Sequence, residues 1–154
     1  MTAPIKRNET LQIISREHHF ALLLCWKIRE GLKKNIEAKR IQDYIDWFWE
    51  NNLIHHFEIE EATLFTILPK ENGLYKIAME EHESLRKLFS EKNKTKEILE
   101  NIAYELDAHV RFEERTLFNV LQILATKEQL QQIEQHHNYK ILDDWEDEFW
   151  VSKN

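Results

Sequence analysis

Two stretches, His56-Phe-Glu-Ile-Glu-Glu-Ala-Thr-Leu-Phe65 and His109-Val-Arg-Phe-Glu-Glu-Arg-Thr-Leu-Phe118, share the pattern His-x-x-x-Glu-Glu-x-Thr-Leu-Phe. On an α-helix, positions i and i+4 share a face and lie about 6 Å apart along the axis. Each stretch therefore offers a nitrogen and an oxygen donor from one helical face. Apolar residues at three- and four-residue steps accompany both: Ile41, Ile45, Trp49 and Leu53 ahead of the first, Ile102 and Leu106 ahead of the second, and Leu117, Leu121 and Leu124 through its end. That periodicity makes each stretch part of a long amphipathic helix.

The same stripe predicts a first helix from Thr10 to Leu32, ended by Gly31 and the polar run Lys33–Lys39. A second runs from about Arg40 to Leu68 and stops at Pro69, a third from Leu74 to Glu91, and a fourth from Thr95 to Leu124. Thr126-Lys-Glu-Gln129 reads as a capping box, so a C-terminal helical extension is expected over about 126–150, its tail carrying Trp145, Phe149 and Trp150. Short links between long helices predict an all-α, up-down-up-down antiparallel four-helix bundle with an additional C-terminal helical segment. The expected organisation is one domain over residues 1–154, with the bundle core at about 10–124.

The 154 residues contain only 2 Gly and 2 Pro, which argues against turn-rich β architectures. Twenty-one basic against 28 acidic residues give a net charge of −7, without the basic footprint of a nucleic-acid binder. No apolar run approaches the ~18–20 residues of a membrane span, and Met1–Asn8 has no apolar leader. A single cysteine, Cys25, excludes thiolate clusters and an internal disulfide. The expected location is cytoplasmic. Any metal must then be held by the 8 histidines and by carboxylates.

Each repeated motif is preceded, one helix earlier, by a Glu-His pair: Glu17-His18 and Glu81-His82. His18, His82 and His109 fall on the apolar stripes, and counting residues back to the helix connections brings all four helices to one level. Four histidines with Glu60 and Glu113 facing one core are costly unless something binds them. Four imidazoles and two carboxylates suit two divalent first-row ions, iron favoured and zinc or manganese admitted, with Glu60 and Glu113 as bridges. Glu61 and Glu114 read either as hydrogen-bond acceptors for the ligand histidines or as solvated residues. His55, His19, His136 and His137 read as surface or stripe-edge histidines, Glu58 as exposed and Cys25 as a small core residue. Tyr75 and Tyr104 are the tyrosines expected near a bound oxygen species.

On Glu-His18, His56-Phe-x-x-Glu60-Glu-x-x-Leu-Phe, Glu-His82 and His109-x-x-x-Glu113-Glu-x-x-Leu-Phe, the chain resembles the hemerythrin-like family with its HHE cation-binding domain, over about Thr10 to Leu124. The resemblance implies a non-haem di-iron centre, two iron ions per chain bridged by an oxo or hydroxo group and by carboxylates. His18, His56, His82 and His109 would be terminal ligands and Glu60 and Glu113 bridges. Oxygen-carrying members have a further histidine where this chain has Arg86, and a His-x-x-x-x-Asp where it has His-x-x-x-Glu. These departures make a more open, carboxylate-rich centre. The expected function is therefore binding or sensing of a small oxidant or gas (dioxygen, peroxide or nitric oxide) at an open iron position. Two alternatives stand beside it. One is a di-iron oxidase, peroxidase or nitrosative-stress enzyme; the other is a non-redox zinc or iron protein with a partner-binding C-terminal segment.

Overall fold

The computed structural model describes residues 7–137 and 139–152, and among them it is all-helical, with no strand. Most of the Met1–Asn8 reading and the ends of the 1–154 domain boundary lie outside these residues.

Helix α1 is Glu9–Lys33, begun by Asn8, whose side chain accepts from the Thr10 amide. Helix α2 occupies 38–67 and is not uniform. Its α-helical parts, Ala38–Phe48 and Ile54–Ile59, are separated by a π turn at Trp49–Leu53 and followed by a second at Glu60–Leu64, with a 3-10 turn at Phe65–Ile67. Helix α3 is Gly73–Phe89, capped by Asn72. Helix α4 occupies 96–124, with a π turn at Glu113–Leu117 between Lys96–Phe112 and Phe118–Leu124, and Thr95 as its cap. Helix α5 is Lys127–His136, opened by the Thr126/Gln129 capping box.

The sequence assigned two features differently. Gly31 does not end α1; the helix continues to Lys33 and stops where Asn35 takes a left-handed φ of 57°. Ile36 then donates to the Gly31 carbonyl and Asn35 to that of Leu32, the paired bonds of a Schellman stop. Gly31 serves a close approach instead: a Cβ there would stand 2.8 Å from the Phe149 ring and 2.9 Å from Ile41.

The expected helical extension over 126–150 ends at His136. Residues 139–152 form no helix. The Asn52 side chain donates to the Leu142 carbonyl and accepts from its amide, replacing the bonds a helix would supply. Asp143 and Asp147, crowded among other acids on a continued helix, are drawn off to Lys27 and Arg40.

Two apolar clusters hold the helices. One joins Leu24, Cys25 and Ile28 of α1, Ile41, Tyr44, Ile45 and Phe57 of α2, Leu85 and Phe89 of α3, Leu99, Ile102 and Leu106 of α4, and Phe149 from the tail. The other joins Leu11 and Ile14, Leu64 and Phe65, Ala78, Leu117 and Phe118, and Ile133 of α5. In sequence, His18 and His82 fall between the segments that feed the two clusters, while His56 and His109 each stand one residue before the last member their helix gives the first cluster, Phe57 and Val110. No described helix is long and apolar enough to cross a membrane.

Candidate metal centre

Four helices each contribute one histidine to a buried site, and α2 and α4 add one glutamate each. His18, His56, Glu60 and Glu113 form one group, and Glu60, His82, His109 and Glu113 a second; within each, the donor atoms lie within 4.8 Å of one another. Both carboxylates belong to both groups. All six side chains are buried, Glu60 and Glu113 completely.

The Nε2 atoms point inward. His56 and His82 place Nε2 3.2 Å from Glu60 Oε1, and His109 places it 2.8 Å from Glu113 Oε1. His18 Nε2 stands 3.4 Å from Glu113 and 3.6 Å from Glu60. Despite this proximity, both oxygens of Glu60, both of Glu113 and His18 Nε2 are without a hydrogen bond in the described structure. A buried carboxylate left so is costly by several kcal/mol. A cation lying among these atoms removes the cost, so the donor set fits a metal ion in each group.

The outer nitrogens are all engaged. Nδ1 of His18 donates to Glu114 at 2.8 Å, that of His56 to Glu17 at 2.7 Å, that of His82 to Glu61 at 2.6 Å and that of His109 to Glu81 at 2.8 Å. A carboxylate on Nδ1 fixes both ring orientation and tautomer, leaving the Nε2 lone pair for a metal. The pairing crosses between helices. Glu17 and Glu81 precede His18 and His82 in the chain but serve His56 and His109.

Electrostatics follow from this packing. Burial pushes the His56 and His109 imidazoles down, but Glu60 and Glu17 around one and Glu113 and Glu81 around the other raise them to about 9 and about 10. His18 is likewise held well above its ordinary value by Glu113, Glu114 and Glu60, against its burial. Burial raises the Glu60 carboxyl, yet the surrounding imidazoles hold it well below the carboxylate range. The protein surrounds this space with negative charge, and without a dication protons must take its place.

Two of the three described π turns belong to the site. They begin at the shared glutamates, and the amides of Phe65 and Phe118 donate five residues back, to the carbonyls of Glu60 and Glu113. The extra residue rotates the following chain, so that Phe65 and Phe118 rather than the residues before them stand one turn beyond the carboxylates. Their rings lie over the histidines, Phe118 stacked on His18 at 5.5 Å and Phe65 tilted against His82 at 4.9 Å. Phe57 also stacks on His82, at 3.8 Å. Such π turns recur at functional sites.

Glu61 and Glu114 are thus hydrogen-bond partners of ligand-type histidines. Arg86 reaches Glu61, 2.7 Å away, rather than the centre. Tyr75 is half-buried against the cluster that contains Leu11. Tyr104 is 72% exposed, on the outer side of α4 beside Arg29 and Leu32, and is not a residue of the site. His19, His55, Glu58 and His136 are exposed, and Cys25 is buried with its thiol pushed up to about 12, chiefly by burial.

His137 departs from the surface reading. It is buried and donates through Nδ1 to Glu17 Oε2 at 2.6 Å, while the Tyr139 hydroxyl donates to Glu17 Oε1, also at 2.6 Å. Sequence reasoning missed Glu17, Glu81, His137 and Tyr139 as parts of the site. The repeated Glu-His pairs were a signal for the first two; no local pattern marked the others.

Comparison with protein-family models, with curated proteins and with solved structures finds no match to this chain.

Proposed function

We propose that this chain is a hemerythrin-like di-iron protein, a cytoplasmic single-domain four-helix bundle that binds or senses a small oxidant or gas such as dioxygen, peroxide or nitric oxide. The observation that carries the reading is the sharing of Glu60 and Glu113 between two buried donor groups of identical composition, each completed by two histidines. One group alone suits many ions. Two groups with common carboxylates suit a bridged pair, the established use of facing helices in di-iron bundles.

The up-down-up-down arrangement is part of this proposal. It is supported by the mixing of the first half of α1 with the second half of α2, the first half of α3 and the second half of α4 in one apolar cluster.

When bound, an iron pair supplies one-electron redox chemistry and a coordination position for a small ligand. The protein's part is geometric and electrostatic. Its four Nδ1–carboxylate bonds orient the imidazoles, and Glu60 and Glu113 offer two oxygens each across the shared space. The Phe57, Phe65 and Phe118 rings keep bulk water off the histidines and lower the local dielectric, which strengthens every charge interaction inside.

Metal analysis of protein purified without added metal, followed by near-ultraviolet absorption under air and under reductant, tests the reading. Two irons per chain with charge-transfer bands that bleach on reduction are expected. A colourless protein holding only zinc overturns it. Steady consumption of peroxide or nitric oxide with a reductant marks an oxidoreductase, and stoichiometric binding marks a carrier or sensor.

A further inference from the structure

The centre has an internal correspondence. Exchanging α1 with α3 and α2 with α4 maps His18 on His82, His56 on His109, Glu60 on Glu113, Glu61 on Glu114 and Glu17 on Glu81. Each outer carboxylate then keeps its role, since Glu114 and Glu61 hold His18 and His82 while Glu17 and Glu81 hold His56 and His109.

The correspondence fails sharply at one pair. The Glu17 side chain is 9% exposed and takes three donors, His56, His137 and Tyr139. The Glu81 side chain is 35% exposed, and among the described residues its hydrogen-bond partner is His109 alone. Glu61 and Glu114 differ far less, at 21% and 27%. The break comes from residues beyond α5: that helix packs on α1 and on the turn that starts at Glu60, which delivers His137 and Tyr139 to Glu17. The Tyr139 ring is itself braced edge-on against His55 at 4.5 Å.

We infer that His137 and Tyr139 are positioning residues that lock Glu17, and through it His56, so that the two metal positions are unequal and the His18/His56 position holds its ion more tightly. This inference rests on the di-metal reading and adds to it a role for the C-terminal segment. The two added donors draw charge from Glu17 and make it a weaker acceptor for His56. Orientation outweighs that loss. A carboxylate fixed by three bonds and shielded from water presents the ring ready for a metal, whereas Glu81 must be ordered from solvent when His109 binds.

Metal-free full-length protein is titrated with cobalt(II), read by its visible absorption in competition with a chelator. The unaltered chain is expected to bind two ions with distinct affinities. Tyr139→Phe and His137→Gln each weaken the tighter ion by about 10- to 100-fold and leave the weaker one unchanged, and Glu81→Gln does the reverse. In a Glu17→Ala background, which removes the acceptor of both His56 and Tyr139, Tyr139→Phe adds no further loss, because its action runs through Glu17. Equal loss at both positions, no loss at either, or equal affinities in the unaltered chain overturns the inference. Fewer than two ions in the unaltered chain instead defeats the di-metal reading, and this inference with it, before any variant is compared.

Discussion

One oxygen of Glu61, Oε2, receives both His82 Nδ1, at 2.6 Å, and an Arg86 guanidinium nitrogen, at 2.7 Å. Burial raises the Glu61 carboxyl, but these two donors together hold it below its ordinary value. The arginine that stands where a histidine was expected to distinguish oxygen carriers is thus bonded to the carboxylate behind His82. Glu61→Gln keeps an acceptor for the ring but loses the charge. It is expected to weaken metal binding at the His82/His109 position by about 10- to 100-fold, measured by chelator competition. Arg86→Gln should cost less, since the Glu61–His82 bond survives it. A larger loss from Arg86→Gln than from Glu61→Gln contradicts this arrangement.

Glu60 and Glu113 each serve both donor groups. Replacing either by Ala is expected to lower the metal content below two per chain, whereas His55→Ala, an exposed change, leaves it at two. Elemental analysis decides it; retention of two ions by both glutamate variants removes the shared-carboxylate reading.

In the metal-free protein, His56 and His109 are raised from 6.5 to about 9 and about 10, so the folded chain keeps protons that the unfolded chain releases above pH 6.5. Their contribution to stability is complete below pH 6.5 and is lost as the pH rises through 9 and 10. Glu17, lowered from 4.5 to about 2, acts oppositely, its contribution present above pH 4.5 and lost as the pH falls toward 2. Thermal melts of metal-free protein should show Tm falling from neutral toward pH 10. The metal-loaded protein should lack that fall, because the dications replace the protons. Identical alkaline profiles for the two forms would contradict a metal at these histidines.

Gly31 lies beneath the Phe149 ring, with 2.8 Å between that ring and an added Cβ. Gly31→Ala should loosen the tail, destabilising the protein by about 1–3 kcal/mol as overpacking does in other cores. Protease cleavage within 139–152, compared between the two proteins, reads the effect directly. An unchanged cleavage rate together with an unchanged Tm argues that the tail adjusts without cost.

Where the sequence could be read, the reason was locality. The helices of α1, α3 and α4 begin or end within one or two residues of the expected limits, because apolar spacing, Asn and Thr caps and Pro69 act within a turn of the chain. The π turns escaped notice although the repeat itself carries them. A five-residue step from Glu60 to Phe65, and from Glu113 to Phe118, looks like an ordinary drift of an apolar stripe until the backbone bonds are seen.

Two His–Glu pairs are written in the chain itself: an i to i+4 relation puts His56 with Glu60 and His109 with Glu113 whatever surrounds them. Which carboxylate holds which ring, and how the tail runs, came from long-range packing. Glu17 and His56 are 39 positions apart, and His137 and Glu17 are 120 apart. Pairings across such separations depend on how each helix is rotated against its neighbour, and that rotation is fixed by packing summed over both apolar clusters rather than by any local pattern.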